Sequence, residues 1–243
     1  MTILILLEGN IKMIKLEHVV LASPEQMEFI IEGMRNPMNS WEKSDSGRCS
    51  SIHACDIHFD RCDNCIYLNK RIGGNFAIGD NDHSLMQRLA NAGTDHRKFM
   101  RMMPVYVRIT APLYWWKEFD TYKVGTVANS CSTMHKIQEK EFTWDDFSYE
   151  HLDMDGRNVL EDTINVMNEA RAYFNENKAK NNWWQMIQLL PSSYNQTRNV
   201  MMNYEVLANI YKSRKDHKLN EWKEFCKWIK ELPYSELIVG KEE

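Results

Sequence analysis

The chain has 243 residues, enough to bury a substantial core, and its 43% hydrophobic and 26% charged residues are typical of globular proteins. Its formal net charge of -4 provides no basic excess for a nucleic-acid surface, although a small phosphate ligand needs only a few local cations. The sequence contains no run of about 18 apolar residues of the kind that a membrane-spanning helix requires.

The first twelve residues differ in pattern from the segment that follows. Their short apolar patch lacks the preceding basic residues and the following small-residue cleavage site of a secretory signal. Met13 begins a well-patterned segment, so residues 1–12 are interpreted as an N-terminal extension. We expect a cytoplasmic protein in which residues 13–243 form a single domain.

The segment LEHVVLAS, residues 16–23, is predicted to be a strand that leads into a capped helix. Ser23 is a typical N-cap residue, Pro24 suits the first helical position, and Gln26 completes a capping box. Apolar residues then recur at helical spacing through MEFIIEGMR, which predicts one apolar face.

Four of the six cysteines cluster with two histidines in RCSSIHACDIHFDRCDNC, inside a Cys-rich insertion at about residues 44–79. Cys55 and His58 form a CxxH pair, and Cys62 and Cys65 form a CxxC pair. Only three residues separate the pairs, whereas zinc sites usually have a longer loop between their halves. We therefore predict reduced cysteines and no metal site, and a zinc site formed by these four residues is the alternative.

The middle of the chain is predicted to alternate between helix and strand. Residues 82–92 read as a short helix that ends at Gly93, and PVYVRIT, residues 104–110, alternates as a strand does. Pro112 is then expected at the first position of a helix that runs through LYWWKEFDTY.

Helices dominate the second half of the sequence. Amphipathic or apolar patterns predict them at about residues 156–178, 182–191, 196–214 and 220–232. The predicted fold class is therefore α+β, predominantly helical with a small antiparallel sheet.

The segment from Leu113 to Ser132 combines two adjacent tryptophans with cations, acids and small hydroxyl residues. This composition is typical of an aromatic pocket with polar anchors for a planar, anionic ligand. We predict that the aromatic residues around Trp115 and Trp116 form the wall of the pocket and a seam between subunits. A core position for at least one of the two tryptophans is the alternative.

From about residue 80 to residue 235, the order and spacing of motifs resemble those of the flavin-dependent thymidylate synthases. HRKF, residues 96–99, precedes a strand, and Ala111-Pro112 opens a helix, as in that family. Thr121-Tyr122-Lys123 falls where the family has Arg-His-Arg. Asn129 and Ser132 are retained from the Asn-Glu-x-Ser-x-Arg-Tyr segment that follows.

The C-terminal half keeps more of the family pattern. Leu190-Pro191 and Thr197-Arg198 are followed by Asn203, Asn209 and Arg214 at the family spacing. On their own, these three residues would be unremarkable: the asparagines would suit a solvated helix, and the arginine would suit a helix C-terminus.

The resemblance implies a homotetrameric flavoprotein that methylates dUMP to dTMP, with FAD as cofactor and with NADPH and methylenetetrahydrofolate as co-substrates. It implies that Ser132 orients or polarises the substrate and does not act as a nucleophile. The implied substrate-binding residues are Lys123, Asn129, Ser132 and Arg214, and the implied flavin-binding residues are Asn203 and Asn209. Because Lys123 lacks the forked geometry of arginine, other cations must share the phosphates, and their position before the strand makes His96, Lys98 and Arg101 the further predicted cofactor-binding residues.

Two alternatives follow from the departures from the family pattern. The loss of both arginines of Arg-His-Arg favours a non-catalytic nucleotide- or flavin-binding relative, because Lys123 lacks the bidentate geometry of arginine. Another flavin- or folate-linked modification at C5 of a pyrimidine nucleotide is the second alternative.

Overall fold

A computed structural model describes residues 14–48, 71–72 and 76–240. Within these residues the protein is α+β and mostly helical with small sheets, which confirms the predicted fold class. None of the described helices is both long and apolar enough to cross a membrane. The N-terminal extension and the group Cys55, His58, Cys62 and Cys65 lie outside the described residues.

Seven strands and nine helices occur in the described ranges. The strands are β1 (Lys15–Leu21), β2 (Gly47–Arg48), β3 (Arg71–Ile72), β4 (Phe76–Ala77), β5 (Pro104–Pro112), β6 (Val127–Ser130) and β7 (Asn195–Asn203). The helices are α1 (Pro24–Arg35), α2 (Asp80–Asn91), α3 (Lys98–Met102), α4 (Leu113–Phe119), α5 (Met154–Asn177), α6 (Lys180–Leu189), α7 (Tyr204–Arg214), α8 (Asn220–Glu231) and α9 (Glu236–Val239).

The strands form two sheets. One has four strands in the order β1-β5-β7-β6. The other has three strands in the order β2-β4-β3 and is antiparallel, with Gly47 opposite Ala77 and Ile72 opposite Phe76.

The described residues divide into two compact units. Unit 1 contains residues 14–15, Ile109–Asp120 and Ser130–Arg198. Its helices α5 and α6 pack against each other. Its core cluster is Ile137, Phe142, Phe147, Leu160, Ile164, Met167, Ala170 and Met186.

Unit 2 contains the described parts of Leu16–Arg108, of Thr121–Asn129 and of Asn199–Glu243. Helix α7 lies at its centre and packs against α3, α8 and α9. Its first turn is fixed at two points: the Asn203 side-chain oxygen accepts from the Val206 N–H at 2.9 Å, and the Tyr204 N–H donates to the Met103 carbonyl at 3.1 Å. The start of α7 is therefore tied to the residue just before β5.

The predicted start of α1 is confirmed in detail. The Gln26 N–H donates to the Ser23 hydroxyl at 3.3 Å, and the Ser23 N–H donates to the Gln26 side-chain oxygen at 2.8 Å. Pro24 is the first helical residue, as expected.

The prediction of one helix over residues 196–214 is wrong in its first half. That part is strand β7, and the helix begins at Tyr204. Gln196, Val200 and Met202 are buried, which is the period of two that a strand shows. Helix α4 also differs from its prediction: it ends at Phe119 and not at Tyr122, and Pro112 is its N-cap and not its first residue. Strand β6 follows it in the chain.

Candidate functional site

The aromatic residues of α4 are core residues of unit 1. Trp115, Trp116 and Phe119 are at most 1% exposed, and the two indole centroids lie 4.9 Å apart. The Trp116 Nε1–H donates to the Gln196 carbonyl at 2.9 Å. The prediction that these tryptophans form a pocket wall and a subunit seam is therefore wrong, because rings enclosed by their own chain offer no surface to a ligand or a partner.

Arg198 closes this aromatic group from one side. Its guanidinium carbon lies 4.2 Å from the centroid of the Trp116 ring. Its Nε donates to the Gln196 side chain at 2.9 Å, and its Nη1 donates to the Asp120 carboxylate at 2.7 Å. Arg198 thus fixes the C-terminal end of α4, whereas the sequence identified it only as part of the Thr197-Arg198 motif.

Ser132 is exposed in unit 1 and organises a tight turn. Its hydroxyl oxygen accepts from the backbone N–H of His135 at 2.9 Å and of Met134 at 3.3 Å. Both bonds occupy oxygen lone pairs, so the hydroxyl hydrogen is left to donate. Among the described residues no base hydrogen-bonds to Ser132, which agrees with an orienting role and gives no support to a nucleophilic one.

Arg214 belongs to a compact group in unit 2. Its Nε donates to the Tyr122 hydroxyl at 2.9 Å, and its guanidinium carbon lies 4.8 Å from the Trp222 ring centroid. Tyr122 and Trp222 meet edge to face at 6.2 Å. Lys123, the next residue after Tyr122, is exposed. The structure thus places the segment at the Arg-His-Arg position beside Arg214, and the assignment of Lys123 and Arg214 to the nucleotide stays a prediction.

Asn203 and Asn129 have different environments in unit 2. Asn203 is only 9% exposed, and its side-chain oxygen caps α7. A Cβ atom added at Gly125 would lie 3.0 Å from its Nδ2, so this amide is closely packed. Asn129 is exposed on β6 and lines an open groove with residues of β1, β5 and β7.

Of the cofactor-binding residues predicted upstream of β5, Arg101 contacts a carboxylate, together with Arg97. Glu205, 8% exposed in the first turn of α7, accepts from the Arg97 Nε at 3.1 Å and from the Arg101 Nε. Arg97 also donates to the Asn209 side-chain oxygen at 3.2 Å. Burial raises the pKa of the Glu205 carboxyl, but the hydrogen bonds and charges of Arg101 and Arg97 outweigh it and hold the pKa below its usual range. His96 and Lys98 are exposed beside this ion cluster.

The predicted residues on α7 point to two different sides of the helix. Successive helical residues are about 100° apart, so Glu205 and Asn209 lie within about 40° of each other, and Arg214 lies about 140° from Asn209. Arg214 is therefore on a different side of the helix from Glu205 and Asn209. Asn209 therefore joins Arg97 and Arg101, while Arg214 joins Tyr122 and Trp222.

Sequence reasoning missed Arg97, Glu205 and Trp222. Arg97 and Arg101 are four residues apart and so face the same way, which is a signal that the sequence does contain. The position of Glu205 in the first turn of a helix is favourable for an acid but does not identify its partners. Nothing in the local sequence marks Trp222 as the partner of Arg214.

The ion cluster allows a test of whether this chain suits the pyrophosphate group of FAD. Guanidinium groups bind phosphate and carboxylate in the same forked geometry. The group has three positive charges, on Arg97, Lys98 and Arg101. It has two negative charges, on Glu205 and on Asp95, which lies near Arg101. The donor set therefore fits an anionic group, with Glu205 as a resident competitor.

The described residues contain no group of three or more His, Cys, Asp or Glu side chains placed to hold a metal ion. The four predicted zinc-ligand candidates lie outside those residues, so the prediction of no metal site stays a prediction.

The chain matches no family model and no curated protein. Its fold, however, is similar to that of solved flavin-dependent thymidylate synthases. One is ThyX from Helicobacter pylori complexed with FAD and dUMP, with 15% sequence identity, a TM-score of 0.59, and coverage of 93% of this chain and 97% of that chain. A second structure of the same enzyme with FAD and dUMP has 16% identity, a TM-score of 0.59, and coverage of 93% and 96%.

At these identities the similarity establishes the fold. The chain has the architecture of a flavin-dependent thymidylate synthase over nearly its whole length, which confirms the resemblance predicted from the motifs at the level of fold. Fold alone does not fix a reaction, so the assignment of an activity rests on the site.

Proposed function

We propose that this protein binds FAD and dUMP and methylates dUMP to dTMP, with methylenetetrahydrofolate as the one-carbon donor and NADPH as the reductant. The observation that carries the proposal is the fixed position of Arg214 against Tyr122 and Trp222, in a chain with this fold. Arg214 and the Tyr122 segment are the two parts of the sequence that the family spacing assigns to the nucleotide.

Arg214 is the proposed anchor for the nucleotide. Its guanidinium is held at one edge by the Tyr122 hydroxyl and on one face by the Trp222 ring, so little side-chain freedom remains to be lost when a ligand binds. Lys123 adds a positive charge from the neighbouring position, and as a compact ammonium it contributes electrostatic attraction without a forked geometry.

Asn129 and Ser132 are the proposed polar contacts of the base. The amide of Asn129 is exposed, and a carboxamide both donates and accepts hydrogen bonds, as the edge of uracil does. The Ser132 hydroxyl, whose oxygen accepts two backbone N–H groups, would donate its hydrogen and polarise a carbonyl. Neither role requires a covalent bond to the protein.

The Arg97, Lys98 and Arg101 group is the proposed site for the phosphates of FAD, with His96 and Asn209 at its edge. Asn203, whose side-chain oxygen also caps α7, is the remaining proposed flavin contact. Bound flavin supplies hydride chemistry that no side chain provides. The task of the protein is then to hold planar molecules in contact and to exclude water.

The second candidate function is non-catalytic binding of a nucleotide or flavin. It is favoured by the single lysine at the position of Arg-His-Arg and by Glu205, which pairs with both guanidinium groups of the proposed phosphate site, those of Arg97 and Arg101. This alternative keeps Arg214 as a ligand contact but removes the methyl transfer.

The experiment that separates the two is complementation of a thymidine-requiring bacterium. The parent chain should restore growth without thymidine, and Lys123→Ala and Ser132→Ala should not. Lys117→Ala is the matched control, because Lys117 is an exposed lysine on α4 outside the proposed site. Absence of growth with a folded parent protein that binds FAD or dUMP would favour the non-catalytic function.

A further inference from the structure

The ion cluster on α3 and α7 resembles an anion-binding site in which the carboxylate of Glu205 takes the place of the anion. Arg97 immediately precedes α3, and Arg101 lies one turn later, so both guanidinium groups face α7. One carboxylate, that of Glu205, receives donors from both: Oε1 accepts from the Arg97 Nε at 3.1 Å and from the Arg101 Nη2 at 3.3 Å, and Oε2 accepts from the Arg101 Nε.

Each guanidinium group also makes one hydrogen bond that does not involve Glu205. The Arg97 Nη2 donates to the Asn209 side chain at 3.2 Å, and the Arg101 Nη2 donates to the Thr94 carbonyl at 3.2 Å. Neither of these acceptors carries a charge. The arginines are therefore positioned in part independently of Glu205, which is the only charged acceptor that receives hydrogen bonds from them among the described residues.

The cluster is also reachable from solvent. The Arg101 side chain is 47% exposed, whereas that of Glu205 is 11% exposed. A ligand would therefore approach from the side of Arg101, with the carboxylate behind it. Lys98 and His96 are exposed next to this entrance, and Asn209 is the one exposed residue between Tyr204 and Tyr211 on α7.

We propose that Glu205 is a built-in competitor for the phosphate groups of the cofactor, which sets their affinity by occupying the Nε–Nη2 fork of Arg101 and the Nε of Arg97. This inference rests on the proposed function for the identity of the cofactor, while the anion site itself rests on the geometry of the cluster. A phosphate group must displace the carboxylate or share these donors with it, and both weaken binding.

The test is Glu205→Gln, which keeps the shape of the side chain and removes its charge. Inorganic pyrophosphate, followed by isothermal titration calorimetry, probes the anion site without flavin. The variant should bind pyrophosphate about tenfold more tightly than the parent, since one charged competitor is removed. Glu32→Gln, at an exposed glutamate of α1, makes the same change in net charge elsewhere and should leave the affinity unchanged.

A flavin pair extends the test to the cofactor. FAD carries the pyrophosphate group and riboflavin does not, so Glu205→Gln should strengthen the binding of FAD and leave that of riboflavin unaltered. If pyrophosphate responds as expected but neither protein binds FAD, the proposed function fails and the inference about the anion site stands.

Weaker or unchanged pyrophosphate binding by folded Glu205→Gln would overturn the inference, because Glu205 would then orient the arginines or act in the fold alone. If Glu205→Gln does not fold, Arg101→Gln decides the question. It alters a half-exposed side chain and should weaken pyrophosphate binding about tenfold. Unchanged binding by Arg101→Gln would exclude a phosphate site at this cluster.

Discussion

Arg214 lies over Trp222, with its guanidinium carbon 4.8 Å from the centroid of the indole. The two residues come from consecutive helices, α7 and α8, so the packing of these helices determines the position of the cation. A cation–π contact of this kind contributes about 0.5–2 kcal/mol, according to its exposure to solvent. The arrangement makes Arg214 a fixed feature of unit 2.

Replacement of Arg214 by alanine should weaken dUMP binding by about 2–4 kcal/mol, because a charge-assisted hydrogen bond to the nucleotide is lost. Calorimetric titration of dUMP measures the change. Lys212→Ala removes an exposed cation two residues away and serves as the control. Unchanged dUMP affinity in Arg214→Ala would show that the family spacing misplaces the nucleotide site.

The ion pair of Asp82 and Arg35, the most buried one among the described residues, tests the stability of unit 2. Asp82 is 0% exposed and accepts from the Arg35 Nε at 2.5 Å, from the Ser44 hydroxyl at 2.7 Å and from the Ser46 hydroxyl. Asp82→Asn should lower the free energy of unfolding by about 3–5 kcal/mol, because Arg35 is left buried without its counter-ion. Urea denaturation measures this loss, and Asp80→Asn at an exposed position of the same helix should show little of it.

The same carboxylate should make stability depend on pH. Burial raises the pKa of Asp82, but hydrogen bonds from Ser46, Ser44 and Arg35 outweigh it and hold the pKa below its usual range. A folded pKa below the unfolded one gives stability that is present above about pH 4, the ordinary aspartate value, and is lost as the pH falls through the folded pKa. The loss on acidification should be smaller in Asp82→Asn, and equal losses in the two proteins would contradict the assignment.

Two glycines should respond to alanine in opposite directions. Gly125 has φ of 77°, and an added Cβ would lie 3.0 Å from the Asn203 Nδ2 and 3.1 Å from the Val206 Cγ2. Gly125→Ala should therefore destabilise the protein by about 1–2 kcal/mol. Gly33, inside α1, has open space around the same position, and Gly33→Ala should stabilise by about 0.5–1 kcal/mol. Urea midpoints that shift in the same direction would contradict this contrast.

The homotetramer is a prediction from the family resemblance, and an exposed sheet surface is the place where we expect its subunits to meet. Val20, Tyr106 and Val127 are 57%, 46% and 62% exposed, and they line a groove of about 530 Å³ in unit 2. We expect a tetramer by light scattering, with Val127→Glu shifting it to smaller species. Val124→Glu, at a 92% exposed valine outside the groove, is the control. A monomeric parent at micromolar concentration would contradict the assembly.

The cysteine-rich segment carries the last prediction. We expect the protein to fold and to bind nucleotide without metal, because the Cys55, His58, Cys62 and Cys65 group lies outside the region of family resemblance. Elemental analysis of the purified protein measures its zinc content. One zinc per chain, with unfolding on chelation, would make these four residues ligands.

Local signals in the sequence were sufficient to predict the positions of most helices. The capping box at Ser23 and the long apolar pattern of α5 specify their elements without help from distant residues. The boundary between β7 and α7 was missed because no Gly or Pro separates them. The strand ends at Asn203 and the helix begins at the next residue, so a period-two pattern runs directly into a helical one.

Site residues could be proposed from the sequence only where the spacing of motifs matched that of the family. The resemblance assigned Lys123 and Arg214 to the nucleotide, and the contact of Arg214 with the neighbouring Tyr122 is a feature that only the structure shows. The partnership of Arg97 with Glu205 links residues 108 positions apart in the chain, and such pairing depends on how α3 packs against α7. Burial of Trp115 and Trp116 likewise follows from packing, since their composition suited a pocket equally well.

The direct junction of β7 and α7 at Asn203 couples strand register to helix orientation. Deletion of one residue between Asn199 and Asn203 would shift the strand by one position and send its alternating side chains to opposite faces. If the strand kept its register, the helix would turn by about 100° instead, moving Arg214 away from Trp222 and Glu205 away from Arg97. Because no loop absorbs the change, length variation in this segment should be far less tolerated than in the turn that follows α7.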